Sequence, residues 1–410
     1  MYPTAKQLED YAELAVKVGA NVQKEQIVVV MAPIASADLV RLIVRKAYDA
    51  GARNVHVEYN DEQLSLIKYK HAPEEAIAEY PIWRAQAWEQ FAENGATFIQ
   101  IYSPNPDLLT DVDPERVAQA GKAAAEALNK YRSYLMAHKN AWTLISYATP
   151  EWAAKVFPGI SEEEAVRKLW ERIFDAVRVD RDDPLHAWKE HNAKLQETVE
   201  LLNRKRYKQL VYEAPGTSLT VDLPEKHVWL GGAKANAKGV LFNPNMPTEE
   251  VFTMPSRNGV NGSVRSTKPL NYRGQLIDGF SLTFKDGKVV DFSAELGYEA
   301  LEKLLNTDEG ARALGEVALV PHDSPISNSN IVFYNTLFDE NASCHLALGQ
   351  AYPVNLQGGA GMDEQELLRS GANKSLVHED FMIGSSELDI DGVTQDGKRE
   401  PIFRNGNWAI

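Results

Sequence analysis

The first half of this sequence alternates between short β-branched segments and amphipathic helical segments. The β-branched segments occupy residues 26–33, 53–59, 97–102 and 142–147. Between the first two of them, Leu39, Ile43 and Ala47 recur at helical spacing. Because neighbouring parallel strands need a crossover that is usually a helix, this order predicts an α/β N-terminal domain, with a mostly parallel sheet and helices on both faces.

The second half has a different pattern, with short alternating strands and more frequent glycines. Residues 282–292 have the pattern of a β-hairpin, and residues 298–306 that of a helix between strands. We therefore expect an α+β, strand-rich C-terminal domain that carries the catalytic site. A chain of 410 residues is too long for one ordinary core. The predicted domains are 1–200, which includes a charged helical bridge at about 150–200, and 201–410.

Charge and hydropathy exclude several classes of function. The net charge is −15 and no run is rich in Lys or Arg, whereas a nucleic-acid partner requires a basic surface. The first 26 residues carry charges throughout, so we expect no secretory signal. No window of 18 uncharged apolar residues is present to span a membrane. These features predict a cytoplasmic protein with neither a nucleic-acid nor a membrane partner.

The sequence also restricts the cofactors that the chain can bind. The loop MAPIAS after the first β-branched segment lacks the glycine spacing of dinucleotide sites and the lysine of the P-loop. Cys344 is the single cysteine, which excludes an internal disulfide and cysteine-rich zinc sites. His186 and His191 are five residues apart, so on a helix they do not share the face that a two-histidine zinc motif needs. Any metal would therefore be bound by His, Asp and Glu.

Acidic residues and histidines recur inside four apolar or glycine-rich segments of the second half. These segments are 243–255, 311–320, 339–352 and 375–385. In the first of them Glu249 and Glu250 begin a strand-like run, so at most one of the two faces a given site. In the second, Glu316 adjoins the apolar VALV, where a buried carboxylate needs a partner or a metal.

The last two segments place further polar groups near apolar residues. His345 and Tyr352 are seven residues apart, which aligns them in a helix and opposes them in a strand, and the sequence leaves both possibilities open. In a strand, His378 and Asp380 face one way and Glu379 the other. Each of these residues could be structural. Together they make a shared site for two divalent ions credible, in which a carboxylate bridges the ions and a phenol stabilises an oxyanion.

Four segments in one order resemble the aminopeptidase T / aminopeptidase S family of dinuclear metalloaminopeptidases. They are NPNMPTEEVFTMP, GEVALVPHDSPIS, FDENASCHLALGQAY and VHEDFMIGS. The similarity runs through essentially the whole second half and extends to the layout of the first half. The metal ligands that this resemblance implies are Glu250, Glu316, His345, His378 and Asp380. Glu316 is the carboxylate that both ions would share.

The resemblance also implies a reaction. Tyr352 would stabilise the tetrahedral intermediate, and Glu340 would handle a proton or support a ligand. The expected activity is removal of the N-terminal residue from short peptides with a free α-amine, using two ions of Zn, Co or Mn, in a homodimer. Two alternatives stay open: a metal-dependent hydrolase of another amide or ester, and a non-catalytic protein that binds metal or peptide.

Overall fold

The computed structural model describes residues 3–410, which form two compact units. The first unit contains the chain up to residue 112 together with 126–193 and 232–248, and the second contains 113–125, 194–231 and 249–410. The chain therefore passes between the units several times, and one of these crossings follows residue 193. The predicted domains, in contrast, are two continuous segments with one boundary near residue 200. Whether each segment folds by itself remains a prediction.

Helices dominate the first unit and the segment that was predicted as a helical bridge. Among residues 3–410 the helices are α1 Ala5–Leu14, α2 Ala37–Asp49, α3 Glu62–His71, α4 Glu74–Ile77, α5 Ile82–Glu93, α6 Pro114–Ala127, α7 Asn129–Met136, α8 Pro150–Val156, α9 Glu162–Ala176, α10 Pro184–Lys205, α11 Tyr298–Leu305, α12 Pro325–Asn328, α13 Thr336–Asp339 and α14 Glu364–Arg369. The predicted helix at 298–306 thus corresponds to α11.

Strands are most frequent after residue 208. In the same range they are β1 Ile27–Pro33, β2 Asn54–Asn60, β3 Thr97–Ile101, β4 Trp142–Ile145, β5 Gln209–Ala214, β6 Thr217–Asp222, β7 Leu230–Gly231, β8 Lys234–Ala235, β9 Leu241–Phe242, β10 Val251–Thr253, β11 Val260–Arg265, β12 Leu270–Tyr272, β13 Gln275–Ile277, β14 Ser281–Lys285, β15 Lys288–Ser293, β16 Leu314–Leu319, β17 His345–Gly349, β18 His378–Met382, β19 Asp389–Val393, β20 Arg399–Arg404 and β21 Asn407–Trp408. The predicted hairpin at 282–292 is confirmed as the antiparallel pair β14–β15.

The first unit contains the predicted parallel sheet, in the order β2-β1-β3-β4. Its neighbouring strands all pair in parallel. The consecutive Val28, Val29 and Val30 of β1 are each fully buried. Because successive side chains of a strand point to opposite faces, both faces of this sheet are covered. On one of them Val29 packs in a cluster with Trp88 of α5 and Tyr131 of α7.

The second unit is built around two antiparallel sheets. The longer has the order β15-β14-β11-β6-β5-β19-β20-β21, and the shorter has the order β18-β17-β16-β10-β7. Apolar side chains from both sheets and from α11 share one buried cluster, which includes Leu219, Leu304, Val317, Leu346 and Phe381. This cluster supports one face of the shorter sheet. The strand-rich character predicted for the second half is therefore confirmed.

No helix within residues 3–410 has the length and apolar content needed to cross a membrane.

Candidate metal centre

The register of the shorter sheet brings most of the predicted ligands to one face. Glu316 of β16 lies opposite Ala347 of β17, which lies opposite Asp380 of β18. Two residues along β18, His378 lies opposite Gly349. Residues directly opposite in an antiparallel pair share a face, as do residues two apart in one strand. Glu316, His378 and Asp380 therefore project from the same side of the sheet.

His345 and Glu250 complete this set. His345 begins β17 opposite Ala318 of β16, so it projects from the same side as Glu316. Glu250 directly precedes β10, which pairs with the other edge of β16. Its Oε2 lies 3.2 Å from Nε2 of His345, and both side chains are buried. The ligands predicted from the sequence thus lie together, whereas Glu249 is not part of this set of nearby ligand atoms.

Glu316 occupies the centre of the arrangement. Its Oε1 lies 3.7 Å from Nε2 of His345, and its Oε2 lies 3.7 Å from Nε2 of His378. Nε2 of His378 lies 3.6 Å from Oδ1 of Asp380. Two groups of ligand atoms result, Glu250–Glu316–His345 and Glu316–His378–Asp380, each with its atoms within 4.8 Å of one another. The two oxygens of Glu316 face one group each.

Small residues leave space between the ligands. The residues between them on this face are Ala318, Ala347 and Gly349, which carry a methyl group or no side chain. Gly349 has φ +103°, and a Cβ there would lie 2.2 Å from the carbonyl oxygen of Val377. Glycine therefore permits β17 and β18 to approach closely beside His378.

The opposite face of the same strands is apolar. Val317, Leu346 and Phe381 alternate with the ligand positions and belong to the buried cluster of the second unit. Glu379 lies opposite Leu348 on this face, and its charge contributes to raising the pKa of Tyr272, after the larger effect of burial. The prediction that Glu379 points away from His378 and Asp380 is confirmed.

Backbone carbonyls orient both imidazoles. Nδ1 of His345 lies 3.1 Å from the Ser343 carbonyl oxygen, and Nδ1 of His378 lies 2.7 Å from that of Gln350. A carbonyl oxygen only accepts, so each Nδ1 carries the proton and donates it. When such a ring binds a metal it is neutral, and its Nε2, on the Glu316 side, then supplies the lone pair that a metal ligand requires. These carbonyl partners were not found by sequence reasoning, because any residue type can supply a carbonyl.

Burial and crowding of charges shift the ionisation of the site. Burial, with the nearby Asp380 and Glu250 carboxylates, raises the pKa of Glu316 to about 7, despite its hydrogen bond with His345. Burial lowers the pKa of His345, but hydrogen bonds with Glu250 and Glu316 outweigh it and raise that pKa well above its usual value. Without metal, the site therefore retains protons near neutral pH.

Glu340 lies at the edge of this cluster. It is buried, and burial together with the Asp380 and Glu250 charges raises its pKa well above the usual value. Its Oε1 accepts a hydrogen bond from Nδ2 of the fully buried Asn341 at 3.3 Å. Asn341 Oδ1 also accepts from the Glu249 backbone N–H at 2.7 Å. Asn341 is a further residue that sequence reasoning missed, although it directly follows the candidate Glu340.

Tyr352 follows β17 and contacts the ligand cluster through its ring. The ring lies edge-on to that of His378 with centroids 4.9 Å apart, and edge-on to Phe252 at 5.9 Å. Burial and the nearby Glu316 and Asp380 carboxylates raise the pKa of Tyr352 well above its usual value. The hydroxyl therefore stays protonated at neutral pH and can donate a hydrogen bond.

Comparison with known families identifies the group of proteins to which this arrangement belongs. The sequence matches the model of the Peptidase_M29 family, described as thermophilic metalloprotease (M29), over residues 4–408. The chain belongs to this family. Its resemblance to the aminopeptidase T and S proteins is thereby confirmed.

Several M29 relatives match over the full length. Aminopeptidase 2 from Geobacillus stearothermophilus is 64% identical over 405 residues, covering 99% of this chain and 98% of its own. Aminopeptidase T from Thermus thermophilus is 46% identical over 405 residues, covering 99% of both chains. A solved structure of wild-type AmpT from Thermus thermophilus superposes with a TM-score of 0.90 at 45% identity, covering 99% of both chains. The fold of this M29 protein is thus that of a known relative.

An M29 protein is expected to bind metal, and the residues present fit this expectation. Oδ1 of Asp380 is buried and, among residues 3–410, accepts no hydrogen bond. An ionised oxygen in that state needs a cation nearby. Carboxylate oxygens combined with imidazole nitrogens suit divalent ions such as zinc, cobalt and manganese. A metal centre is consistent with three features: the Asp380 oxygen without a hydrogen bond, the oriented Nε2 atoms of the two histidines, and the Glu316 carboxylate between both groups of ligand atoms.

Proposed function

We propose that this protein is a dinuclear metalloaminopeptidase that removes the N-terminal residue from short peptides. The observation that carries the proposal is the position of Glu316, whose two oxygens face two separate groups of ligand atoms. A single ion would need only one of these groups. The names of the M29 relatives, aminopeptidase 2 and aminopeptidase T, support the choice of an aminopeptidase among metal-dependent hydrolases.

The charges of the site support two ions. The carboxylates of the buried Glu250, Glu316 and Glu340 and of the partly buried Asp380 carry four negative charges when they are all ionised. Two divalent cations balance that charge, whereas one leaves the cluster strongly negative and partly protonated. In the proposal Glu250 and His345 would hold one ion, His378 and Asp380 would hold the other, and Glu316 would be a ligand of both.

The ions, Tyr352 and Glu340 would have separate roles in the proposed reaction. Divalent ions held by these residues would supply Lewis acidity and a water molecule of lowered pKa. Tyr352 donates a hydrogen bond to the oxygen on which negative charge develops. Glu340 accepts a proton and passes it toward the leaving amine, which its buried position and raised pKa favour.

An activity assay tests the proposal directly. The purified protein is dialysed against a chelator, assayed with a leucine or phenylalanine anilide, and assayed again after addition of Co or Zn. Activity should disappear on dialysis and return with metal. Activity that survives complete metal removal contradicts the proposal.

A blocked substrate separates the alternatives. An N-acetylated peptide with the same sequence should not be cleaved, because the proposed reaction requires a free α-amine. Cleavage of both peptides indicates a hydrolase of amides in general. Metal binding without turnover of either peptide indicates a non-catalytic protein that binds metal or peptide.

The proposal also includes the properties that accompany this activity. We expect two ions per chain of Zn, Co or Mn, a homodimer, and a cytoplasmic location. Metal analysis of the purified protein gives the number of ions, and light scattering after gel filtration gives the oligomeric state. A ratio near one ion per chain at saturation contradicts the dinuclear centre.

A further inference from the structure

A cavity lies in the first unit, at the edge of its parallel sheet. It has a volume of about 490 Å³ and is lined by Pro33 at the end of β1, Asn60 at the end of β2 and Ile101 at the end of β3. Parallel strands place their carboxyl ends at one edge, so the cavity opens at that edge. The volume lies within the range of about 300–1,000 Å³ that is common for small-molecule sites.

The topology marks this place as a binding position. In the order β2-β1-β3-β4, the chain leaves β1 toward one side of the sheet and leaves β3 toward the other. The two connections therefore diverge above the carboxyl ends of β1 and β3. Ligands of open α/β sheets bind in the crevice at such a switch point.

One buried polar group in the cavity wall lacks a partner. Tyr131 of α7 is 7% exposed, and its ring packs against Trp88 and Phe98. Tyr131 lines the cavity, and among residues 3–410 its buried hydroxyl has no hydrogen-bond partner. Burial raises the pKa of this phenol, so it remains a donor at neutral pH. An unsatisfied buried hydroxyl is costly, and a bound polar ligand removes that cost.

The charges in the wall point to the class of ligand. The residues that line the cavity include two acidic ones, Glu58 and Glu62, and two basic ones, Arg84 and Arg132. Glu58 and Arg84 form an ion pair, and the backbone N–H of Asn105 donates to Glu62. A ligand that is only positively or only negatively charged would lie beside residues of its own charge in this cavity. A zwitterion can place its ammonium beside the glutamates and its carboxylate beside the arginines.

The loops around the cavity argue against a phosphate. Pro33 and Pro104 line the rim and have no backbone N–H to donate. The loops that follow β1 and β3 contain no glycine at residues 34–36 or 102–106. Phosphate sites depend on glycine-rich loops and exposed N–H groups.

We propose that this cavity binds a free amino acid or dipeptide with an apolar or aromatic side chain. The carboxylate of the ligand faces Arg84 and Arg132, its ammonium faces Glu58 and Glu62, and the Tyr131 hydroxyl donates to it. The side chain of the ligand packs on the aromatic wall. The choice among zwitterions rests on the proposed function, whose products are amino acids. The site lies in the first unit, whereas every proposed metal ligand lies in the second.

Calorimetry with L-phenylalanine on the metal-loaded full chain tests the site. We expect Tyr131→Phe to weaken one binding event by about threefold to tenfold, the effect of one lost neutral hydrogen bond. Tyr134→Phe is the matched control, since Tyr134 lies on the same helix and outside the cavity wall. Asp380→Asn, which alters the metal centre, should leave the Tyr131-dependent event unchanged.

Probe molecules test the assignment of the ligand. N-acetyl-L-phenylalanine lacks the ammonium and phenylalanine amide lacks the carboxylate, so each should bind at least about tenfold more weakly than L-phenylalanine. Tyr131-dependent binding of AMP in preference to L-phenylalanine overturns the assignment. Binding of L-phenylalanine that is insensitive to Tyr131→Phe, or no binding, overturns the site.

The outcomes separate this inference from the proposed function. An inactive chain that still shows Tyr131-dependent binding contradicts the aminopeptidase proposal and supports the cavity site. An active aminopeptidase without such binding contradicts the cavity site alone.

Discussion

Nε2 of His378 lies 3.6 Å from Oδ1 of Asp380, two residues further along the same strand. The pair projects from the ligand face, and Glu379 between them projects from the apolar face. Glu379 is therefore a control for experiments on His378 and Asp380, because it lies between them in the sequence but on the other face of the sheet.

We expect Asp380→Asn to weaken metal binding by more than about 100-fold, because loss of even an outer partner of a ligand costs about 10–100-fold. Isothermal titration of the metal-free protein with Zn measures this change. Glu379→Gln is the matched control, and its metal affinity should stay within about twofold of the original. Equal losses in both variants contradict the assignment of Asp380 as a ligand.

Glu316→Gln should impair both ions rather than one. The variant retains the size of the side chain but loses the charge that both groups of ligand atoms share. We expect metal analysis by mass spectrometry to find less than one ion per chain in Glu316→Gln and about one in Glu250→Gln. Retention of one tightly bound ion in Glu316→Gln indicates that the carboxylate does not bridge.

Tyr352→Phe should reduce kcat while both ions remain bound. Removing one donor to an oxyanion costs roughly 3–4 kcal/mol, which corresponds to about 100- to 1,000-fold in kcat. Steady-state kinetics on a leucine anilide and metal analysis of the same sample separate the two effects. The exposed Tyr298→Phe is the control. Normal turnover in Tyr352→Phe removes this hydroxyl from the mechanism.

Metal affinity should fall as the pH falls. The pKa of Glu316 is about 7 in the metal-free protein, so this carboxyl is mostly protonated at pH 6 and mostly ionised at pH 8. Protons and metal compete for the same oxygens, and this group alone changes affinity by about tenfold over that interval. The pKa of His345 is also raised, which adds to the loss in the same direction. Zn titrations at both pH values test the sign, and tighter binding at pH 6 contradicts it.

Gly349→Ala should destabilise the sheet beside His378. The added Cβ would lie 2.2 Å from the Val377 carbonyl oxygen, and φ at this position is +103°. Strain of this kind costs about 1–3 kcal/mol, which should appear as a lower Tm together with weaker metal binding. Gly361→Ala is the control, since its Cβ would have no heavy atom within 4 Å. Equal Tm values for the two variants would contradict the inference that the close approach of the Val377 carbonyl requires glycine at position 349.

The sequence was enough to predict that His378 and Asp380 share a face, because side chains alternate along a strand and the two residues are two positions apart. The position of Glu316 relative to them depends on which residues of β16, β17 and β18 lie opposite one another, and spacing in the sequence does not determine this. The sequence also left the relation of His345 and Tyr352 open. In the structure β17 ends at Gly349, so neither a continuous helix nor a continuous strand joins the two residues.

Long-range organisation was the other part that the sequence did not predict. The parallel sheet followed from the alternation of strand and helix patterns, and its four segments lie within two residues of the predicted bounds at each end. In contrast, residues 232–248 belong to the first unit although they follow strands of the second. Their composition resembles that of their neighbours, and only packing distinguishes them.

The alternation of faces along β16, β17 and β18 constrains how the sequence can change. Insertion of one residue between Glu379 and Asp380 would turn Asp380 toward the apolar cluster and Phe381 toward the ligands, while His378 kept its face. The segments that connect these strands, 320–344 and 350–377, contain α12, α13 and α14, and a change in their length does not alter which strand face a residue lies on. Length variation among homologous chains should therefore be more frequent in those segments than inside the strands.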